Sequence, residues 1–557
     1  MAQSTSQMTA RRPAPTDRAR GLAFGAVLVA VVCALPMLAV LIAALSGGTD
    51  TVRHLLSTVL GAYSWTTFKL VVMVAAGTFA VGVGAAWLVT MTRFPAVRFL
   101  EIALVLPLAF PAYVLAYAYT FVLDHPGIVQ STLRDVTGWG PRDYWFPDVR
   151  SLGGAAVMLI LVLYPYVYLL ARAAFLQQSG TTFLAARALG SSAFAAFCKV
   201  SLPLARPAIA GGVLLAVMET IADFGTVAYF GVQTFATGIY TSWFSLYDRA
   251  GAAQLALCLL SVALLLAMLE RVQRGKAKYH DPARRAPGMP PIELRGWSGI
   301  GALVLCGVPV VFGALLPIVI LLVMGLGSEQ DLLSPRYLGF MRNSVTLAGT
   351  AALVTVVGAI CVGFFRRLRP GRLSQGAAYV ARLGYAVPGG VIAVGLMVPF
   401  AAFDNTLDAW MRATFGISTG LLITGSIWLL VAAYMVRFMA AALGAYEGGQ
   451  AMVHANMDAA ARSLGETPVG TLRRVHLPIL APSLLTALLI VFVDVMKELP
   501  ATLIMRPFNY DTLAVQAYRL ASDERLGGAA VPSLVIVAMG LLPVILICRQ
   551  VGRGRRR

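Results

Sequence analysis

The sequence predicts an all-α integral membrane protein of about 12 transmembrane helices. They form two homologous six-helix halves related by a parallel pseudo-twofold axis. Three observations lead there. Of the 557 residues, 59% are hydrophobic and only 12% charged, far from the balance of a soluble domain. Apolar runs recur at residues 21–45, 100–123, 251–269, 299–326 and 531–548, each close to the roughly 20 residues a helix needs to cross a bilayer. A barrel strand would be about half as long and would alternate polar with apolar. Finally, a polar, Arg-containing segment of the first half returns in the second.

Residues 1–20 form a basic tail containing Arg11, Arg12, Arg18 and Arg20. The run at 21–45 is too long and continuous for a cleaved leader and is read as a retained span. Residues 21–270 make a first half, 271–298 a basic, Pro-containing linker, 299–548 a second half and 549–557 a basic tail. Counting the shorter apolar segments gives about six spans on either side of the linker. Lys and Arg collect in every second loop: the N-terminal tail, Arg93 with Arg98, the linker, Arg366, Arg367, Arg369 and Arg372, and the C-terminal RQVGRGRRR. Cytoplasmic loops carry such an excess, so both termini are expected inside, beside anionic membrane lipid. The net charge of +19 needs no nucleic-acid partner, because aromatics do not interleave the basic residues.

The six cysteines, Cys33, Cys198, Cys258, Cys306, Cys361 and Cys548, fall in spans or on the cytoplasmic side. They read as packing residues without disulfide or metal-ligand spacing. His54 and His125 fall outside, and His280, His454 and His476 inside. They assemble no nucleophile or metal cluster, and a membrane enzyme is disfavoured. The Trp- and Pro-containing loop at 124–151 is external by the charge rule; its aromatics suit the membrane interface or a docking solute-binding protein.

The repeat is gap-free. FLAARALGSSAFAAFCKVSLPLARPAIA (Phe183 to Ala210) aligns with the stretch that includes MDAAARSLGETPVGTLRRVHLPILAPSLL (Met457 to Leu485). Gly190 pairs with Gly465, Leu202-Pro203 with Leu477-Pro478 and Pro207 with Pro482, each pair 275 positions apart (465 minus 190). The register continues through Glu219 with Asp494, Asp223 with Glu498, Thr237 with Thr512 and Asp248 with Asp523. Upstream, after a small length change, Pro111 pairs with Pro388. Each copy reads as a short amphipathic helix, a Gly able to turn at positive φ, a second helix and a Pro-containing re-entry into the bilayer. A symmetric pair of cytoplasmic knobs calls for a symmetric pair of partners.

The pattern Ala-Ala-Arg-x-Leu-Gly, followed after eleven residues by Leu-Pro, resembles the EAA loop of binding-protein-dependent ABC importer permeases, and the resemblance covers nearly the whole chain twice. It implies type I importer halves whose loops dock on an ATPase subunit and transmit its closure. The residues so implied are Ala185, Ala186, Leu189, Gly190, Leu202 and Pro203 in one loop, and Asp458, Ala461, Leu464, Gly465, Leu477 and Pro478 in the other. The family's Glu is replaced by Leu184 and Ala459, with Asp458 one residue earlier in the second copy alone. None of the five lysines (Lys69, Lys199, Lys276, Lys278, Lys497) precedes Ser or Thr, so the phosphate-binding Gly-Lys-[Ser/Thr] ending is missing. The expectation is a non-enzymatic subunit of the bacterial inner membrane that binds no cofactor itself. ATP-Mg would sit on two copies of a partner ATPase, and a periplasmic binding protein would deliver cargo.

Glu219/Asp223 and Asp494/Glu498 are four residues apart, which at helical spacing stacks each pair on one face. That face should turn inward, because a lipid-facing carboxylate is expensive. Glu219 lies twelve residues past Pro207, roughly 18 Å along the span, towards the outer mouth. One reading makes the acids packing groups, with Lys497 neutralising Asp494. The other makes the four of them a transient site for a hard cation. The wording of these stretches is similar to fused ferric-iron permeases; thiamine or aminoethylphosphonate permeases are the alternatives. A proton-coupled secondary transporter remains the alternative of another class.

Overall fold

The computed structural model describes residues 17–178, 180–276, 292–328, 330–331 and 334–554. Arg11, Arg12, His280 and most of the linker lie outside them. Among the described residues, 11 helices are long and apolar enough to cross a membrane, or 12 if the pair Val97–Ala109 and Ala112–Thr137, bent by 93°, is one span. The all-α fold with two duplicated halves is thus as the sequence predicts.

Residues 100–123, expected as one run, are broken. Val97–Ala103 is helical, Leu106–Ala109 is a tight 3-10 turn, and a new helix starts at Ala112. Pro107 and Pro111 account for the break: a proline lacks the N–H that an uninterrupted helix would use. The second half repeats the device, with a 3-10 turn at Gly384–Ala386 and Pro388 preceding the helix Gly389–Phe415. The pairing of Pro111 with Pro388 therefore holds in space. One other pairing does not. Thr234, not Thr237, plays the part of Thr512: each is the N-cap whose hydroxyl accepts from the backbone three residues on, ahead of Phe235–Tyr240 and Leu513–Ser522. Thr234 lies 11 residues past Asp223 and Thr512 lies 14 past Glu498, so the constant register is broken there.

The boundary helices run further than the apolar runs. Arg249–Lys276 passes the expected linker start at 271, and Leu526–Gly554 passes residue 549. At the far end of the linker Ile292 and Glu293 pair in parallel with Thr92 and Arg93.

The two halves exchange their first helices. Asp17–Ser46 packs on Pro335–Leu368, Arg372–Leu383 and Gly389–Phe415 of the second half, as well as on Arg249–Lys276 of its own. Reciprocally, the helix through Trp297–Leu326 packs on Leu60–Met91, Val97–Ala103 and Ala112–Leu123 of the first half and on Leu526–Gly554 of its own. Small residues make the crossings close, as is usual between membrane helices. A Cβ at Gly395 would come within 2.3 Å of the Pro36 carbonyl oxygen. Gly395→Ala is accordingly expected to cost about 1–3 kcal/mol through overpacking, read as a lower melting temperature of the detergent-purified chain.

Candidate functional site: two coupling loops and a cavity between the halves

Both repeated loops fold alike. Gly180–Ala188 and Ala455–Ser463 are the first helices, and Gly190 (φ +87°) and Gly465 (φ +80°) end them in the left-handed region. In each, the glycine N–H bonds back to the Arg carbonyl three residues earlier, and the next N–H to the carbonyl five residues earlier: Gly190 to Arg187 and Ser191 to Ala186, Gly465 to Arg462 and Glu466 to Ala461. These are Schellman closures. Ser192 and Thr467 then cap the following helices through their hydroxyls, and a π turn leads each chain into Leu202–Ala222 or Leu477–Met496, with Pro203 and Pro478 in the first turn.

The tips are apolar and open: Leu189 is 88% exposed and Leu464 83%. Ala185 is exposed and Ala186 half-buried, whereas Ala461 is buried. Asp458 faces inward. Its Oδ2 accepts from Arg367 Nε at 2.7 Å, and its Oδ1 lies 2.6 Å from Nε2 of the fully buried His476. Burial raises its carboxyl, but the bonds from Arg367 and His476 prevail and hold it below the usual carboxylate range.

The helices leaving the two loops end at one cavity of about 360 Å³ between the halves. Glu219, Asp223, Asp494, Lys497 and Glu498 all line it, so the sequence-predicted residues are brought together. Their geometry differs from the expectation. The helices stop at Ala222 and Met496, so neither pair of acids stacks on a continuous helical face. Beyond each stop the chain makes a short re-entrant helix, Gly225–Tyr229 or Pro500–Met505, and the second acid caps it. Asp223 accepts from the N–H groups of Thr226 and Val227 and from the Thr226 hydroxyl. Glu498 accepts from the N–H groups of Ala501 and Thr502 and the Thr502 hydroxyl.

That leaves Glu219 and Asp494. Glu219 accepts from the Tyr385 hydroxyl at 3.3 Å, and Asp494 pairs with Lys497 at 2.9 Å. Among the described residues no three His, Cys, Asp or Glu side chains lie close enough to hold one metal ion. The four acids line a common space without forming the ligand set expected of them, because two are committed to helix caps.

Sequence reasoning missed several polar groups here, among them Tyr113, whose hydroxyl donates to the Lys497 carbonyl at 3.3 Å. Arg437 Nη1 lies 3.6 Å from Glu498 Oε1, beyond hydrogen-bonding distance, and Tyr166 and Tyr385 line the same wall. Their counterparts in the other half are Val162, Ala441 and Leu108, apolar residues that line the same cavity. The cavity is therefore symmetric in its acids and asymmetric in its other polar groups. A lone Arg inside the apolar helix Ile427–Gln450 was a usable signal, since an ionisable residue within a span marks a pathway by default. The tyrosines carried none.

Residues 78–276 and 354–556 each match the family described as binding-protein-dependent transport system inner membrane component. The chain belongs to that family. As a binding-protein-dependent transport permease it is a multi-pass inner-membrane protein that works with an ATPase and a periplasmic binding protein. The permease is 25% identical over 536 residues (94% of this chain, 96% of the relative) to the Fe(3+)-transport system permease protein FbpB 2 of Haemophilus influenzae. It is 24% identical over 456 residues (78% and 63%) to the ferric transport system permease protein FbpB of Actinobacillus pleuropneumoniae. Over 199 residues (36% and 69%) it is 25% identical to a putative 2-aminoethylphosphonate transport system permease protein, PhnV, of Salmonella typhimurium.

Proposed function

We propose that this chain alone supplies both membrane halves of an importer that passes ferric iron from a periplasmic binding protein to the cytoplasm. Two copies of a separate ATPase dock on the loops tipped by Leu189 and Leu464, hydrolyse ATP-Mg there and drive the cycle; the chain itself binds no cofactor. In this reading both termini lie in the cytoplasm, which the distribution of Lys and Arg supports. The observation that carries this reading is the joining of each loop, by a single helix, to one acid-lined cavity between the halves. Glu219, Asp223, Asp494 and Glu498 outnumber Arg437 and Lys497, so the space favours a cation. The relatives named for ferric transport match the chain across most of its length.

Arg437 favours one other reading. A guanidinium facing the cavity beside Lys497 would suit a phosphonate group, and a relative named for aminoethylphosphonate covers part of the chain. The deciding experiment purifies the chain with its ATPase and binding protein, reconstitutes them in vesicles, and compares ferric iron, 2-aminoethylphosphonate and thiamine. The expected result is two ATPase copies per permease chain, ATP hydrolysis stimulated by iron-loaded binding protein, and radio-iron accumulating in the lumen. Stimulation by aminoethylphosphonate alone would replace the cargo assignment, and a second permease chain in the complex would refute the single-chain architecture.

A further inference from the structure

Three elements meet at Asp458. Arg367, one residue before the end of the transmembrane helix Pro335–Leu368, donates from Nε to Asp458 at 2.7 Å and from Nη2 to the Val453 carbonyl at 2.8 Å. Asp458 itself sits in the first turn of the coupling helix Ala455–Ser463. On its other oxygen is His476, the last residue of the π turn that enters Leu477–Met496, and the His476 ring stands edge-on to Phe364 with centroids 5.0 Å apart. One carboxylate thus ties the coupling helix to a neighbouring span and to the base of the helix that carries Asp494 into the cavity. Among the described residues the first half has no carboxylate tie at this place. Phe183 occupies the place of Asp458 and Ser201 that of His476, both buried; the loop there packs around Phe197, Phe175 and Trp87, with one neutral hydrogen bond, from Gln178 Nε2 to the Ser201 carbonyl at 2.8 Å, that does not reach the coupling helix Gly180–Ala188.

We propose that Asp458 is a positioning residue rather than an ATPase contact. The Arg367–Asp458–His476 link makes the second coupling loop, Pro335–Leu368 and Leu477–Met496 move as one body. Movement of the docked ATPase therefore reaches the Asp494 side of the cavity directly, while the first loop, whose coupling helix has Phe183 where the second has Asp458, transmits less. Ion pairs and hydrogen bonds are directional and resist sliding, whereas apolar contacts permit it. This inference rests on the importer reading above.

The test uses the reconstituted complex with iron-loaded binding protein and reads two quantities: ATPase retained through purification, and cargo moved per ATP hydrolysed. Asp458→Asn and Arg367→Gln are each expected to retain the ATPase and to lower cargo moved per ATP about tenfold, within the usual range of coupling energies. The double variant should be no worse than either single one, because both changes cut the same link. Asp458→Glu should restore at least half of the coupling, and Phe183→Leu should change it less than twofold. Loss of ATPase from Asp458→Asn but not from Arg367→Gln would make Asp458 a docking contact and overturn the proposal. So would unaltered coupling in both variants. Should a neutral variant fail to assemble, Arg367→Lys, which keeps the charge but cannot span Asp458 and Val453 together, is read instead, and full coupling in it overturns the proposal. A parent complex that moves no iron would instead refute the importer reading, which separates the two failures.

Discussion

Replacing Glu219 by Gln is expected to abolish cargo uptake in a protein that still folds, whereas Glu498→Gln is expected to lose the fold first. The two acids share a cavity but not a job. Among the described residues the Tyr385 hydroxyl is the hydrogen-bond partner of Glu219, and a Gln can accept that bond equally well, so the chain should insert and assemble as before. What disappears is a negative charge facing the cavity. At an effective dielectric of about 20, a unit charge pair 4 Å apart is worth about 4 kcal/mol, so the loss for a cation should exceed about a hundredfold. Glu498 receives two backbone N–H groups and a hydroxyl with its two oxygens, and Arg437 lies beside it. A Gln there would point an NH2 group at N–H donors and strand the guanidinium. Charge-assisted bonds of this kind are worth about 1.5–3 kcal/mol each. The measurements are size-exclusion elution and melting temperature for folding, and radio-iron uptake per folded molecule for transport. Equal uptake per folded molecule in Glu219→Gln and the parent would remove Glu219 from the pathway.

A comparable effect is expected at the loop tips. Gly190→Val and Gly465→Val should each uncouple ATP hydrolysis from transport, and Gly→Asn at the same positions should not. No heavy atom lies within 4 Å of a Cβ built at either glycine, so crowding is not the obstacle. The obstacle is φ near +80°, where L side chains cost roughly 1–2 kcal/mol and a β-branched one more, while Asn visits the region readily. Opening the turn would swing Leu189 or Leu464 off its docking direction. Gly465→Val should be at least as damaging as Gly190→Val, because only the second loop is tied through Asp458 to two spans. Tolerance of Val at both positions, measured as unchanged cargo per ATP, would show that neither turn transmits motion.

The repeat made much of this readable. Whatever occurs twice at a fixed separation, such as Gly190 with Gly465, Pro111 with Pro388 or Glu219 with Asp494, stands out from apolar sequence without any structure. The same filter hides what occurs once. Arg437, Tyr166 and Tyr385 have apolar counterparts, so comparing the copies discards them, and they are among the groups that make the cavity asymmetric. The contact of Asp458 was out of reach for a related reason: Arg367 lies 91 positions away, and spacing along the chain says nothing of a contact that distant. The capping by Asp223 and Glu498 was obscured because helical spacing of four presumes an unbroken helix, and the helix breaks between the members of each pair. Exchange of the first helices was beyond reach, since an apolar span fits equally well against either half.

That exchange sets an order of events during synthesis. The helix Asp17–Ser46 is made before the other described helices, yet most of its neighbours belong to the second half. With roughly 340 residues between Ser46 and Gly389, and elongation at about 5–20 residues per second, it waits roughly 20–70 s for its partners. During that interval lipid must serve as its only neighbour over most of its surface. A waiting helix can afford no polar group on any side, and Gly21–Ser46 is the most apolar of the candidate spans among the described residues. The half is therefore a unit of ancestry, but the unit that completes folding is the pair.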